Sequence, residues 1–414
     1  MPIEEDEKEN VERRRKRQIR MVYLHAFTNL LHQAISTPIR TQYMLGLLKG
    51  DQAATARLLA YSTSGSALIE FLFNPSLGKL SDHIGRKFLL LMSPVLSFVC
   101  KIFILLRSDY RLLMLERILF NAANVLAGST GCKAVLNDLC RDDELAQSYG
   151  NLGAAQGLGV LGGSLLSGIL SQVGMSFLGI YGTAATIALA HTYMVFYFIE
   201  ESNQAKKPLE KFEIVNPLEF LKLFQTKSQE LTNLTWASAA MCFAEGKNIV
   251  DVSMNYIVND CMCDEAEASY MVSSFGLSMI SSGVLSKPML KRMGARLFTT
   301  FSNLLTIVSY YFWTQGRLGL WAGLAMMFCC QARQAAVLAR CTTLATGKNV
   351  GYGKGEYQGM YANLRSLTVM IAPILYGYTY NHSKPRGSPG RMYLVVMAIT
   401  AIGEMLHQKS YSVR

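Results

Sequence analysis

Charged and amide side chains lying inside long apolar stretches are the residues here best placed to do chemistry. Glu70 stands midway along one such stretch, Asn29, His32 and Gln33 cluster in another, and Asn121 and Asn124 fall in a third. A fourth carries Glu245, Lys247, Asn248 and Asp251, and Gln331, Arg333 and Gln334 complete the set. A charge at mid-bilayer costs roughly 2.5–3.5 kcal/mol on insertion scales, so each needs a partner, water or a purpose. A carboxylate beside a base can be protonated in one state and paired in another. Glu70, Glu245 and Asp251 are the carboxylates suited to that exchange, with Arg333 or Lys247 as the bases. Helical spacing puts Lys247 and Asp251 on one face, while Glu245 and Asn248 share another. The Lys247–Asp251 pair reads equally well as purely structural. His32 reads as a packed core histidine or a proton carrier, and Asn29, Asn121 and Asn124 as bridges between helices.

No pattern for catalysis accompanies these groups. There is no Gly-x-Ser-x-Gly, no phosphate-cradling Gly-rich loop ending in Lys-Ser/Thr, and no His/Cys metal spacing. The expectation is therefore not an enzyme, with no cofactor and no metal. Any movement of a solute must draw on an ion gradient or on the solute's own gradient. Of the nine cysteines, only Cys261 and Cys263 form a close pair in a loop between apolar runs. That pair is expected to be unlinked or locally reactive rather than metal-binding.

The elements that hold these residues follow from hydropathy. Half of the 414 residues are hydrophobic, 17% are charged, and the mean hydropathy is +0.21. A soluble chain of this size would carry about 25% charged residues. Apolar runs of roughly 20 residues, the length that crosses a bilayer core, recur twelve times, over 21–48, 58–78, 88–106, 112–136, 148–171, 176–199, 231–257, 268–286, 297–315, 318–341, 357–379 and 391–408. The eighth and tenth are diluted by polar residues, as suits helices facing a wet cavity. The Lys and Arg residues behind the +11 net charge gather in the two tails and in alternate loops. This excludes nucleic acid as the obvious partner and puts both termini in the cytosol. The acidic-then-basic start has no apolar core and is neither a signal nor a transit peptide. Residues 200–230 form the longest connection. Within it, Phe212, Val215, Leu218, Phe220, Leu221 and Phe224 predict an amphipathic helix lying on the membrane surface. The expected organisation is a tail (1–20), a six-helix bundle (21–199), this linker (200–230), a second six-helix bundle (231–408) and a short tail (409–414). Asn381-His382-Ser383 is a candidate glycosylation acceptor in an outer loop.

The stretch Gly78-Lys79-Leu80-Ser81-Asp82-His83-Ile84-Gly85-Arg86-Lys87 joins the second and third runs. It resembles the signature loop of the major facilitator superfamily, matching at Gly78, Leu80, Asp82, Gly85, Arg86 and Lys87 and departing at His83. The resemblance implies an all-α membrane protein of twelve transmembrane helices in two pseudo-symmetric six-helix bundles. It also implies that this loop is a conformational latch rather than a substrate site. Gly283 to Arg296 echoes the loop after the eighth run, without its acidic residue. Leu113-x-x-x-Arg117-x-x-Phe120-Asn121 resembles the family's fourth-span arginine motif, whose arginine is associated with proton coupling, departing at Phe120 and Asn121. Read without the resemblance, Arg117 is an arginine that snorkels to the interface. Gly159-x-x-x-Gly163-Ser164-x-x-Ser167-Gly168 resembles the antiporter motif without its proline, and small residues at this spacing let helices pack closely. Gly355-Glu356-Tyr357-Gln358-Gly359 and the later Pro373 resemble the eleventh span of tetracycline-exporter-like members.

Together these readings predict a monomeric secondary transporter in the plasma membrane or an endomembrane. It would move a small molecule by alternating access, with the proton as coupling ion and the lipid bilayer as its surroundings. In the family, spans one, four, seven and ten line the cavity, which is where most of the clusters above fall. The alternatives are an uncoupled facilitator and a non-transporting receptor on the same fold.

Overall fold

The computed structural model describes residues 2–124, 128, 131–140, 142–202, 216–328, 333–345, 347, 350–352 and 354–412. Its long elements are α1 (Pro2–Leu47), α2 (Gln52–Ile84), α3 (Arg86–Leu106), α4 (Tyr110–Asn124), α5 (Gly131–Leu139), α6 (Asp142–Gln172) and α7 (Phe177–Phe198). After the linker come α8 (Gln229–Phe243), α9 (Gly246–Asn259), α10 (Glu265–Trp313), α11 (Arg317–Met327), α12 (Arg333–Ala345), α13 (Lys354–Ser383) and α14 (Arg391–Tyr411). No strand occurs among the described residues. Arg86–Leu106, Asn151–Gln172 and Glu265–Ser286 are long and apolar enough to cross a membrane by length and composition alone.

α1 starts well before the apolar run that begins at residue 21, so the basic tail is not a separate loose segment. Its helix is supported by Arg13–Glu9 and Arg15–Glu12 pairs one turn apart. It is anchored by Arg14 on Glu200 at 2.7 Å and by Gln18 on the Phe198 carbonyl at 3.2 Å. α6 lies along α1, and a Cβ at Gly159 or Gly163 would overlap the backbone carbonyls of Phe27 and Leu31. Gly168 instead faces α10, against Tyr270 and Ser269. α3 packs on α4 and α7, α2 on α4, α8 on α14, and α10 on α11 and α14. Between these groups α6 runs along α10 and α2 along α13. The eighth and ninth apolar runs lie on the two helical parts of α10, which meet at a kink where Gly294 leaves the helical conformation with φ +73, a backbone open to a residue without a Cβ.

One expectation is met by a shorter element, and one needs correction. The linker holds a 3-10 turn, Pro217–Phe224, that packs on the protein. Its three-residue repeat turns Phe220 and Leu223 inward, Phe220 against Phe71, and leaves Leu218 and Leu221 exposed. Phe212 and Val215 lie outside the described residues. Asn381 sits in the last turns of α13, not in a loop, and its amide points at the Ala53 carbonyl.

Candidate functional site

The apolar run 231–257 does not form one helix. α8 stops at Phe243 and α9 starts at Gly246, so carbonyls at the break lose their helical partners. Three other elements satisfy them. Tyr376 on α13 donates to the Phe243 carbonyl at 2.8 Å, and Tyr310 on α10 to that of Ala244 at 3.3 Å. Arg333 on α12 also reaches the Ala244 carbonyl at 3.3 Å, and Asn248 turns back to that of Cys242 at 2.7 Å. Irregular backbone at membrane depth persists only when it is satisfied within the protein in this way. Glu245 precedes α9 and is held by Nε and Nη2 of Arg365, at 2.5–3.0 Å. A Cβ at Gly246 would strike the Phe275 ring.

A cavity of about 250 Å³ opens beside the break. Gly246, Ile249, Val250, Ser253, Met254 and Ile257 put one stripe of α9 on it. α1 contributes Leu30, Gln33, Ala34 and Thr37 opposite, and α10 closes it with Phe275, Tyr310 and Trp313. The wall is mostly aliphatic and aromatic, with the polar groups of Gln33, Thr37 and Ser253 among them.

Asp251 occupies another flank of α9 and meets Arg117 of α4 in a buried ion pair. Thr63 of α2 donates to the same carboxylate oxygen at 2.9 Å and accepts from Arg117 at 2.7 and 3.1 Å. The pair that spacing suggested for Asp251 was Lys247. The observed partner comes instead from a distant helix, and the Lys247 side chain lies outside the described residues. Arg117 does not snorkel, since 7% of it is exposed. Its neighbour Glu116 bonds Lys101 of α3 at 2.7 Å and stands 3.9 Å from Arg40 of α1. Arg40 lies close enough to Asp251 for the two charges to interact.

Sequence reasoning passed over Arg40, Lys101, Glu116, His25 and His191, which are all buried. The signal was present: His25, Asn29, His32, Ser36 and Arg40 recur every three or four residues, one face of α1. That face looks into the α3–α4–α7 packing and not into the cavity. Asn29 accepts from Ser93 at 2.9 Å, and His32 lies between His191 and Ser97.

The remaining candidates are spread out. Gln33 is the member of the predicted set that lines the cavity. Glu70 is buried on α2. Arg333 donates to the Thr306 hydroxyl rather than to a carboxylate, and Gln334 reaches the Cys242 sulfur. Gln331, and the side chains of Asn121, Asn124, Gly78 and Asp82, lie outside the described residues. The rest of the signature loop is anchored by acids not singled out in the sequence. Gly85, at φ +113, precedes α3, whose first amides, on Arg86 and Lys87, donate to Glu201 at 2.8 and 3.3 Å. The Arg86 side chain reaches Asp138 at 3.4 Å, and Lys87 the Phe196 carbonyl at 2.7 Å. Cys261 and Cys263 are free thiols. Burial raises both, Cys263 up to about 12 with Glu267 beside it, so neither is a ready thiolate.

Comparison with known proteins agrees with the fold. The tetracycline resistance protein, class D, of Salmonella ordonez is 21% identical over 342 residues, 80% of this chain and 82% of that protein. The class B protein of Escherichia coli is 22% identical over 330 residues, 77% and 78% of the two chains. A structure of the human organic anion transporter MFSD10 superposes with a TM-score of 0.67 at 16% identity, covering 95% of this chain and 99% of the other. The nucleoside transporter NupG gives 0.70 at 12% identity, over 95% and 99%. The family profile described as Major Facilitator Superfamily matches residues 23–246. The chain therefore belongs to the Major Facilitator Superfamily, a family of integral, multi-pass membrane transporters and not of enzymes.

Proposed function

We propose that the protein is a proton-coupled secondary transporter that moves a small, largely apolar organic solute by alternating access. Twelve passes in two six-helix bundles (21–199 and 231–408) are supported by the helix order, with α8/α9 counted as one broken pass, α10 divided at Gly294, and α4 with α5 and α11 with α12 each counted as one pass. The charge asymmetry of the loops supports cytosolic termini. The cavity beside the α8/α9 break is the substrate site. Its 250 Å³ sits just below the 300–1,000 Å³ usual for drug-sized ligands, and its wall suits a solute with few polar groups. Gly78, Asp82, Gly85, Arg86 and Lys87 serve as the latch, with Glu201 and Asp138 holding its basic end.

The observation that carries this reading is the buried Arg117–Asp251 pair, a direct contact between the proposed first and second bundles to which Thr63 adds a hydrogen bond. Protonating Asp251 would leave Arg117 as an uncompensated buried charge, an arrangement that costs about 3–5 kcal/mol. Proton binding thus favours separation of α9 from α4, and re-pairing expels the proton.

The test uses proteoliposomes with an imposed pH gradient and a panel of small amphipathic solutes, tetracycline among them because of the relatives' names. The parent should accumulate a solute against its gradient, and Asp251→Asn should lose accumulation while keeping solute exchange. Solute flux in the parent that ignores the pH gradient would make the protein a facilitator. Binding without flux would make it a receptor.

A further inference from the structure

A hydrogen-bonded chain of side chains runs through the α1–α3–α4–α7 packing, away from the cavity. His25 Nδ1 meets His191 Nε2 at 2.9 Å, and His191 Nδ1 meets His32 Nε2 at 3.4 Å. His32 Nδ1 then meets the Ser97 hydroxyl at 3.3 Å. Lys101 donates to Ser97 at 2.9 Å and to Glu116 at 2.7 Å. Each of these six residues is no more than 2% exposed. Beyond Glu116 stand Arg40 and the Arg117–Asp251 pair. From His25 to Arg40, α1 rises about 22 Å at 1.5 Å per residue, most of the roughly 30 Å hydrocarbon thickness.

We propose that His25, His191, His32, Ser97, Lys101 and Glu116 form a proton path through the first bundle that ends at Glu116, where a change of charge is felt by Arg40 and the Arg117–Asp251 junction. This inference rests on the proton-coupled reading above and adds the route.

A neutral imidazole has one donor and one acceptor nitrogen. Three rings joined head to tail can therefore all be satisfied at once, with a single direction along the chain. Lys101 sets that direction. Its ammonium occupies a lone pair of Ser97, which turns the Ser97 proton toward His32 Nδ1 and leaves each Nε2 protonated. One proton crosses by a shift inside each hydrogen bond. Glu116, once protonated, passes its proton to Lys101 as Lys101 gives one to Ser97. Each ring accepts at Nδ1 and releases from Nε2, and one proton leaves His25. No covalent bond other than N–H and O–H changes, and rotation of each ring and of the Ser97 hydroxyl restores the Nε2–H form before the next proton passes. The charged or titratable groups around the path are Lys101 and Cys100 on α3, Glu116 and Arg117 on α4, Arg40 on α1, Tyr181 on α7 and Asp251 on α9. Phe120 of α4 covers the His32 ring at 5.7 Å. Simple packing would be met more readily by apolar residues, since buried polar groups contribute little net stability even when satisfied.

Two measurements test the path in the full-length protein. First, histidine-15N-labelled protein in lipid bilayers should give three ring pairs in the neutral Nε2–H form near pH 7, with nitrogen–nitrogen couplings across the two inter-ring bonds. Lys101→Met should mix the tautomers. Charged rings, or absent couplings, would overturn the path whether or not transport is coupled. Second, Ser97→Ala, a small change inside the chain, and His191→Gln should cut pH-gradient-driven flux at least tenfold and leave solute exchange within twofold of the parent. Coupled transport in the parent that survives both variants would sink the path and spare the coupling; uncoupled transport in the parent would sink the coupling first.

Discussion

Asp251 and Arg117 show how a costly pair of side chains is held in place. Both are nearly sealed from solvent, and the Thr63 hydroxyl accounts for part of the hydrogen bonding that neither supplies to the other. Arg117→Leu or Asp251→Leu alone should lower stability by about 3–5 kcal/mol, because each leaves the other charge buried. The double variant Arg117→Leu/Asp251→Leu should recover most of that loss. Denaturant titration in detergent reads the cycle, and additive losses would show that the two do not act as a pair. The sequence placed Asp251 inside an apolar run but could not name its partner, since the two are 134 positions apart and helical spacing offers only near neighbours. The loop thiols give a second residue-scale expectation. With Cys263 pushed up to about 12 and Cys261 raised, maleimide labelling near pH 7 should stay far slower than for an exposed thiol. It should quicken as pH rises, because only the thiolate attacks. Fast labelling of Cys263 at pH 7 would contradict its burial.

Among the elements, the interruption between α8 and α9 is what hydropathy alone conceals. Residues 231–257 are apolar enough for one rod, and the caps that let the rod break arrive from α10, α12 and α13. Glu245-Gly246 hinted at the site, but nothing local announces Tyr310, Arg333 or Tyr376. Tyr376→Phe should cost about 1–3 kcal/mol by orphaning the Phe243 carbonyl. It should also blunt solute binding, because Gly246 at the head of α9 lines the cavity. An unchanged melting profile would mean that the carbonyl finds water instead. The glycines of α6 were easier to read, because spacing of four implies close approach wherever the partner helix lies. Their effects should nevertheless differ. Gly163→Ala drives a methyl into the Leu31 carbonyl and against Ala34, and should destabilise by roughly 1–3 kcal/mol. Gly153→Ala, with nothing within 4 Å of the new atom, should stabilise by up to about 1 kcal/mol through helix propensity. Equal effects at both sites would remove packing as the reason for the stripe.

At the scale of the whole molecule, the packing is drawn together at one end. Lys384, held by Asp260 at 2.7 Å and lying over the Tyr380 ring, donates to Gln52. Asn255 reaches the Gln52 carbonyl at 3.3 Å, and Asn381 that of Ala53 at 3.4 Å. In the proposed two-bundle arrangement these bonds cross between halves, joining the start of α2 to the ends of α9 and α13. A charged hydrogen bond contributes roughly 1.5–3 kcal/mol, a shift of about tenfold or more in the ratio of two arrangements. If the two-bundle proposal holds, the Gln52 amide belongs to one half and Lys384 to the other, and the bond can exist only while that end is shut. Lys384→Ala should therefore shift the population toward an outward-opened form without unfolding either bundle. Spin labels at Asp51 and Arg386, both exposed, should report a longer, broader distance distribution in the variant, and Gln52→Ala should give the same change. A distribution that stays put in both variants, with thermal stability intact, would mean that the contact does not hold the two halves together at that end. Such a result would take away the structural basis for a gate there, while the Arg117–Asp251 junction deeper in the molecule would still stand to be tested by its own double variant.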